Sequence, residues 1–207
     1  MKGKLITFEG VEGSGKTTQL KMIEKSLIEE GYKVRITREP GGTKIGNKIR
    51  EILLNPLNNI LDYKAEILLY AADRAQDLKE NILPALKAGE IVLADRYIDS
   101  NIAYQGFGRD LDLSMVRKIN EWVINGYWPD LTLILDIDIE KGIKRAKSLS
   151  LGKTGDRLEQ EVLEFHQKVR DAFITMAKED RCVLINADQK PEILHREIFK
   201  IVKESLL

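Results

Sequence analysis

The nine residues GVEGSGKTT, Gly10 to Thr18, follow directly on the apolar, β-branched run KLITFE at 4–9 and lead into a helical pattern. Their spacing, Gly-x-x-x-x-Gly-Lys-Thr between strand and helix, is that of a P-loop in the context the motif requires. Glycines accept positive φ and carry no Cβ, so the backbone can wrap an anion with its N–H groups and the helix N-terminus turned inward. Gly10, Val11, Glu12, Gly13, Ser14, Gly15, Lys16, Thr17 and Thr18 are therefore expected to cradle a nucleoside triphosphate. Within that cradle Lys16 is expected to bridge the β- and γ-phosphates and Thr17 to ligate Mg²⁺. A merely flexible turn with a capping threonine would account for fewer of these residues.

The rest of the chain is organised around the same unit. Apolar runs recur at 33–37, 90–95, 131–138 and 181–186, nearly continuous rather than alternating, as in strands covered on both faces. Helical patterns fill the gaps at 16–30, 64–88, 113–125, 159–178 and 191–206. The second of these carries a stripe of Ala65, Leu68, Leu69 and Ala72, and the fourth a stripe of Val162, Phe165, Val169, Phe173 and Met176. This alternation predicts an α/β domain with a parallel sheet flanked by helices, and ligands at the carboxyl ends of its strands.

Lys and Arg total 33 and Asp and Glu 33, so no global field favours nucleic acid or an anionic membrane as partner. The longest apolar runs fall far short of the ~18–20 residues that span a bilayer. Cys182 is the lone cysteine, which excludes an intrachain disulfide. With no signal-like N-terminus, a cytoplasmic protein is expected.

A P-loop alone fits a GTPase, an ATPase or a small-molecule kinase. A guanine reader of the Asn-Lys-x-Asp type is not matched by NADQK at 186–190. A kinase needs a second anion site, and the other strand ends supply cations for one. TREPGG at 37–42 places Arg38 at the tip of the second strand, and ADRY at 94–97 places Asp95 and Arg96 at the tip of the third. Two arginines suit bidentate capture of an acceptor phosphate. Asp95, ending an apolar strand, suits a carboxylate that holds Mg²⁺ through water. Tyr70 and Arg74, four apart and so neighbours on one helix face, suit a stacked base with a carbonyl to satisfy.

The set FEGVEGSGKTTQ, TREPGGT, LLYAADRAQ, DRYIDSNIAYQG and DRLE resembles the thymidylate kinases in order and spacing, over residues 5 to about 180. The resemblance implies a five-stranded P-loop NTPase-like sheet with a mobile lid, phosphorylation of dTMP by ATP with Mg²⁺, and a homodimer. It implies that Arg38 and Arg96 hold the dTMP phosphate, Tyr70 stacks on thymine and Arg74 donates to a thymine carbonyl. It places Asn101 and Gln105 around the nucleoside, Tyr104 where a ribose 2′-hydroxyl would sit, and Glu12 toward the dTMP sugar.

Relatives with an acidic, arginine-free P-loop usually supply a transition-state arginine from a lid after the fourth strand. KRAKSLSLGKTGDRLE at 144–159 resembles that lid, with the insert itself at about 147–157 of a single 1–207 domain. Lys147 and Lys153 stand where arginines are expected, and Arg157 is a third candidate at the start of the next helix. Lys153 is favoured because Gly152 and Gly155 flank it. A kinase for another monophosphate, or a P-loop ATPase or switch without an acceptor, are the competing readings.

Overall fold

A computed structural model describes residues 3–149 and 155–206. Among them, β1 (Lys4–Glu9), β2 (Val34–Arg38), β3 (Ile91–Asp95), β4 (Leu131–Asp136) and β5 (Cys182–Asn186) form a parallel sheet in the order β2-β3-β1-β4-β5. The three inner strands are buried almost throughout, whereas the edges β2 and β5 are partly exposed. That pattern explains the unbroken apolar runs of β1, β3 and β4. Phe8 pairs with Asp95, and Asp95 with Arg38, so the register delivers the ends of β1, β3 and β2 side by side.

The helices follow the expected alternation, with α1 (Lys16–Glu29) packed on α9 (Pro191–Ser205). Between β2 and β3 lie α2 (Lys44–Leu54), α3 (Tyr63–Asp77) and α4 (Leu83–Lys87). The helical pattern over 64–88, with a break expected at Pro84, is divided by a π-helical turn, Leu78–Ile82, just before Pro84. Proline is tolerated there because the first turn of a helix does not need its missing N–H. After β3 comes α5 (Ile98–Asn101), which continues as a π-helical segment, Ile102–Gly108, followed by α6 (Leu113–Ile124). Asp62 and Asp112 cap α3 and α6 through their side chains.

Helix α7 (Ile139–Leu149) includes the first part of the stretch read as a lid, and α8 (Leu163–Met176) starts four residues later than expected. Residues 157–160 form a turn instead, in which the Asp156 carboxylate accepts from the N–H groups of Leu158 and Glu159, both at 3.0 Å. The P-loop rests on α7: Gly13 has φ 71°, and a Cβ there would lie 2.0 Å from the Gly142 carbonyl oxygen. Only glycine fits that contact.

Half of the expected apolar stripe of α3 faces outward: Leu68 and Ala72 are exposed, and Ala65 and Leu69 are only half-buried. Leu68 is 57% exposed, while Glu66, Ile67, Tyr70, Ala71, Asp73, Arg74 and Asp77 are buried. A polar network behind the site, described next, holds that face in the interior. Val162, counted in the α8 stripe, is likewise exposed, whereas Phe165, Val169, Phe173 and Met176 are core.

Candidate active site

A cavity of about 480 Å³ opens where the ends of β1, β2 and β3 meet. Glu12, Gly13, Lys16 and Thr17 line it from the P-loop, Arg38 and Glu39 from the end of β2, and Asp95 and Arg96 from the end of β3. Tyr70 of α3 and Asn101, Tyr104 and Gln105 of the α5 segment complete the far wall.

At the P-loop, the Lys16 ammonium donates to the carbonyls of Gly10 (2.9 Å) and Val11 (2.8 Å). Burial, and Arg96 beside it, pull this lysine down to about 8, against Asp95, Glu12 and Glu9. A buried cation whose hydrogen-bond acceptors, the two carbonyls and Ser14 Oγ at 3.4 Å, are all neutral favours an incoming anion. Thr17 donates its hydroxyl to Asp95 Oδ2 at 2.7 Å, joining the loop to the tip of β3.

Arg96 spans the two halves of the cavity. Its Nη1 donates to the Gly10 carbonyl (3.1 Å) and Ser100 Oγ (3.0 Å), and its Nη2 to Glu12 Oε1 and the Tyr104 hydroxyl, both at 3.0 Å. Its guanidinium also stacks over the Tyr104 ring, 4.9 Å from the centroid. Burial raises Glu12, but the His166 ring, Arg96 and Lys16 outweigh it and hold the carboxyl well below its usual range. Glu9, fully buried behind the loop, accepts from Tyr97 N–H (2.8 Å) and the Ser100 hydroxyl (2.6 Å). Burial, reinforced by Asp99, pushes Glu9 up to about 7.

Arg50 of α2 also lines the cavity, at a position that no sequence motif marks. It donates to the Pro40 carbonyl at 2.8 Å, and burial together with the facing Arg38 lowers its pKa. Lys16, Arg38, Arg50 and Arg96 thus converge on one cavity. Ser100, Asp156 and Glu159, which lie within the DRYIDSNIAYQG and DRLE stretches, are further wall residues.

Arg74 is not among the lining residues. It is 1% exposed and lies behind the wall, donating to Asn101 Oδ1 (2.6 Å), Glu39 Oε2 (2.6 Å), the Tyr97 carbonyl (3.1 Å) and Asn120 Oδ1. Asn101 in turn donates to Gln105 Oε1 (2.8 Å), and Gln105 to Glu66 Oε1 (2.7 Å). The guanidinium expected to reach a base thus holds the Asn101 amide from behind the wall and, through it, Gln105.

Of the three lid cations, Arg157 is committed elsewhere. It is buried, with Nε on the Leu53 carbonyl (2.9 Å) and Nη2 on Glu66, and it lies in the turn before α8 rather than in a helix. Glu66, itself inaccessible to solvent, requires such a partner. Lys147 sits in the last turn of α7 beside a shallow groove with Glu140, Ile143, Lys144 and Leu163, outside the main cavity. Lys153 lies outside the described residues.

The sequence model described as "Thymidylate kinase" matches residues 8–198. The thymidylate kinase of Halothermothrix orenii is 55% identical over 207 residues, covering 100% of both chains. That of Caldanaerobacter subterraneus subsp. tengcongensis is 47% identical over 208 residues, covering 100% of this chain and 98% of the relative. The crystal structure of thymidylate kinase from Ehrlichia chaffeensis superposes with a TM-score of 0.79 at 34% identity, covering 98% of this chain and 99% of the other. P-loop, converging arginines and full-length likeness agree, and the chain belongs to the thymidylate kinase family.

Proposed function

We propose that the protein transfers the γ-phosphoryl group of ATP to dTMP, giving ADP and dTDP. The observation that carries this reading is Arg96, one guanidinium that touches both the P-loop and the wall opposite it. The P-loop N–H groups and Lys16 would hold the ATP phosphates, and Arg38, Arg50 and Arg96 the phosphate of dTMP. Four cations around two polyanions offset their repulsion and align acceptor oxygen with phosphorus.

Tyr70 would stack on thymine, with Asn101 and Gln105 presenting their amides to its edge and Arg74 fixing those amides from behind. Tyr104, with its hydroxyl on Glu12 at 2.6 Å, would crowd a 2′-hydroxyl and so favour deoxynucleotides.

Mg²⁺ fits the donor set. Thr17 and Asp95 offer a hydroxyl and a carboxylate oxygen side by side, and among the described residues no group of three or more His, Cys, Asp or Glu could hold a metal alone. Mg²⁺ commonly takes one or two protein oxygens and completes its shell with substrate phosphates and water. When bound it would supply charge neutralisation on the transferring phosphoryl group. The remaining charge falls to the lid, over about 147–157 of a single 1–207 domain, with Lys153 our first choice and Lys147 the second.

We also propose a homodimer through α3 and α6, which pack together and leave Leu68, Met115 and Trp122 outward at 57%, 57% and 83% exposure. A second copy of this chain would cover that apolar face. Trp122→Glu should shift the mass measured by light scattering from dimer to monomer, and an unchanged mass would remove α6 from the interface. An ATP-dependent enzyme of nucleotide supply belongs in the cytoplasm, and no described helix is long and apolar enough to cross a membrane. Incubation with ATP·Mg²⁺ and dTMP, dUMP, dCMP, dGMP and UMP tests the reaction. Turnover should be fastest with dTMP, and ADP release without any acceptor would favour a switch.

A further inference from the structure

His166 lies in the first turn of α8, 1% exposed, directly behind the P-loop carboxylate. A buried imidazole costs free energy unless its nitrogens are hydrogen-bonded. Here Nδ1 faces Glu12 Oε2 at 3.7 Å, an ion-pair distance longer than a hydrogen bond. Glu12 Oε2 and His166 Nε2 are both buried without a hydrogen-bond partner. The Phe165 ring meets the imidazole edge-on at 5.6 Å, so the surroundings would accept a phenylalanine that left no nitrogen unpaired.

An imidazole held against a buried carboxylate oxygen points to work done through Glu12. The other oxygen of that carboxylate, Oε1, receives the Tyr104 hydroxyl at 2.6 Å and Arg96 Nη2 at 3.0 Å, the two groups that shape the acceptor side. Fixing Oε2 from behind would stop the carboxylate from rotating away from them.

We propose that His166 is a positioning residue of the acceptor site, donating from Nδ1 to Glu12 Oε2 and thereby holding Oε1 on Tyr104 and Arg96. The contact closes with a shift of about 0.5–1 Å, the difference between 3.7 Å and an N–H···O bond. Glu12 reaches His166 on one side and Arg96 on the other, so the acceptor phosphate site and the core of α8 are joined through one carboxylate.

This inference rests on dTMP as acceptor, and its test separates the two. Asparagine carries Nδ2 where histidine carries Nδ1, whereas glutamine reaches the Nε2 position and phenylalanine fills the space without a donor. His166→Phe and His166→Gln should raise KM for dTMP about tenfold, the scale of one hydrogen bond to a charged group, with KM for ATP little changed. His166→Asn should recover most of the loss. Equal rises in both KM values, or a phenylalanine variant that outperforms asparagine, would overturn the proposal. Thermal unfolding of each variant identifies any that fails to fold.

With two histidines in the chain, ¹⁵N–¹H correlation of the ring nitrogens in the wild-type protein decides the contact directly. A His166 ring protonated on Nδ1 supports it, and one protonated on Nε2 alone sinks it. Wild-type protein that does not turn over dTMP would refute the acceptor reading while the nitrogen spectrum still judged His166.

Discussion

At Arg96 the backbone adopts φ 73°, a left-handed conformation that costs an L residue about 1–2 kcal/mol. Its N–H on the Phe8 carbonyl at 3.0 Å, and Glu9 on the next N–H at 2.8 Å, hold it there. Strain kept in place by a buried carboxylate is what aims the guanidinium across the cavity. Lys16→Ala and Arg96→Ala should therefore fail differently. Removing Lys16 takes charge from the transferring group and should lower kcat by about 10²-fold or more. Removing Arg96 should cost as much in kcat/KM for dTMP while a fluorescent ATP analogue still binds nearly as well. If analogue affinity fell equally in both variants, Arg96 would belong to the ATP side. Arg38, Asp95 and Arg96 were legible because apolar runs announce strand tips, and a doubly wound sheet puts its ligands there. Arg50 was not, since nothing local separates an inward arginine on an amphipathic helix from a solvated one. His166 had a faint signal, being four residues after Val162 and three before Val169 on a helical stripe.

Helix α3 shows where pattern reading fails at the scale of an element. The rule that apolar stripes face inward assumes that polar side chains gain nothing inside. Here Glu39, Arg74, Asn101, Gln105, Glu66 and Arg157 form one hydrogen-bonded chain, which satisfies a polar interior and leaves Leu68 outside. Burial of Glu66 depends on that chain, with Arg109 Nε at 3.5 Å as a further neighbour. Arg157→Ala would leave the Glu66 carboxylate without its nearest cation, and breaking a buried pair from one side typically costs about 3–5 kcal/mol. Urea unfolding should show that loss, whereas Lys153→Ala should leave stability unchanged and slow single-turnover transfer. A stable Arg157→Ala protein with slowed transfer would instead make Arg157 a phosphate ligand. The spacing of Tyr70 and Arg74 correctly makes them neighbours on α3, but which side of the wall each occupies depends on tertiary partners that no local pattern contains.

For the whole molecule, the concentration of buried carboxylates around the site makes stability depend on pH in an unusual direction. Burial, with Asp99 beside it, raises Glu9 from 4.5 to about 7, and burial raises Asp73 from 3.8 to about 6 even though the Gly41 N–H opposes it. Glu39 and Asp77 move the same way, again chiefly through burial. In the folded chain these groups keep protons that the unfolded chain has already released above its ordinary carboxylate range. The folded state therefore binds more protons between about pH 4.5 and 7, and the stability present below that window is lost as pH rises through it. Glu12 has the opposite sign, but its lowered pKa places that contribution below the window, where stability falls on acidification. Each pKa unit corresponds to about 1.4 kcal/mol, so Glu9 alone contributes on the order of 3 kcal/mol across the window. In a chain of this size that is roughly 6–12 °C in Tm. Calorimetry of the free protein should show Tm falling from pH 5 to pH 7.5. Glu9→Gln should flatten the slope, because the amide still accepts from Tyr97 N–H and carries no proton to lose. A Tm that rose over the same interval, or a slope unchanged in Glu9→Gln, would mean that Glu9 is ionised in the folded protein at pH 5 and is held there by Arg96 rather than destabilised by burial.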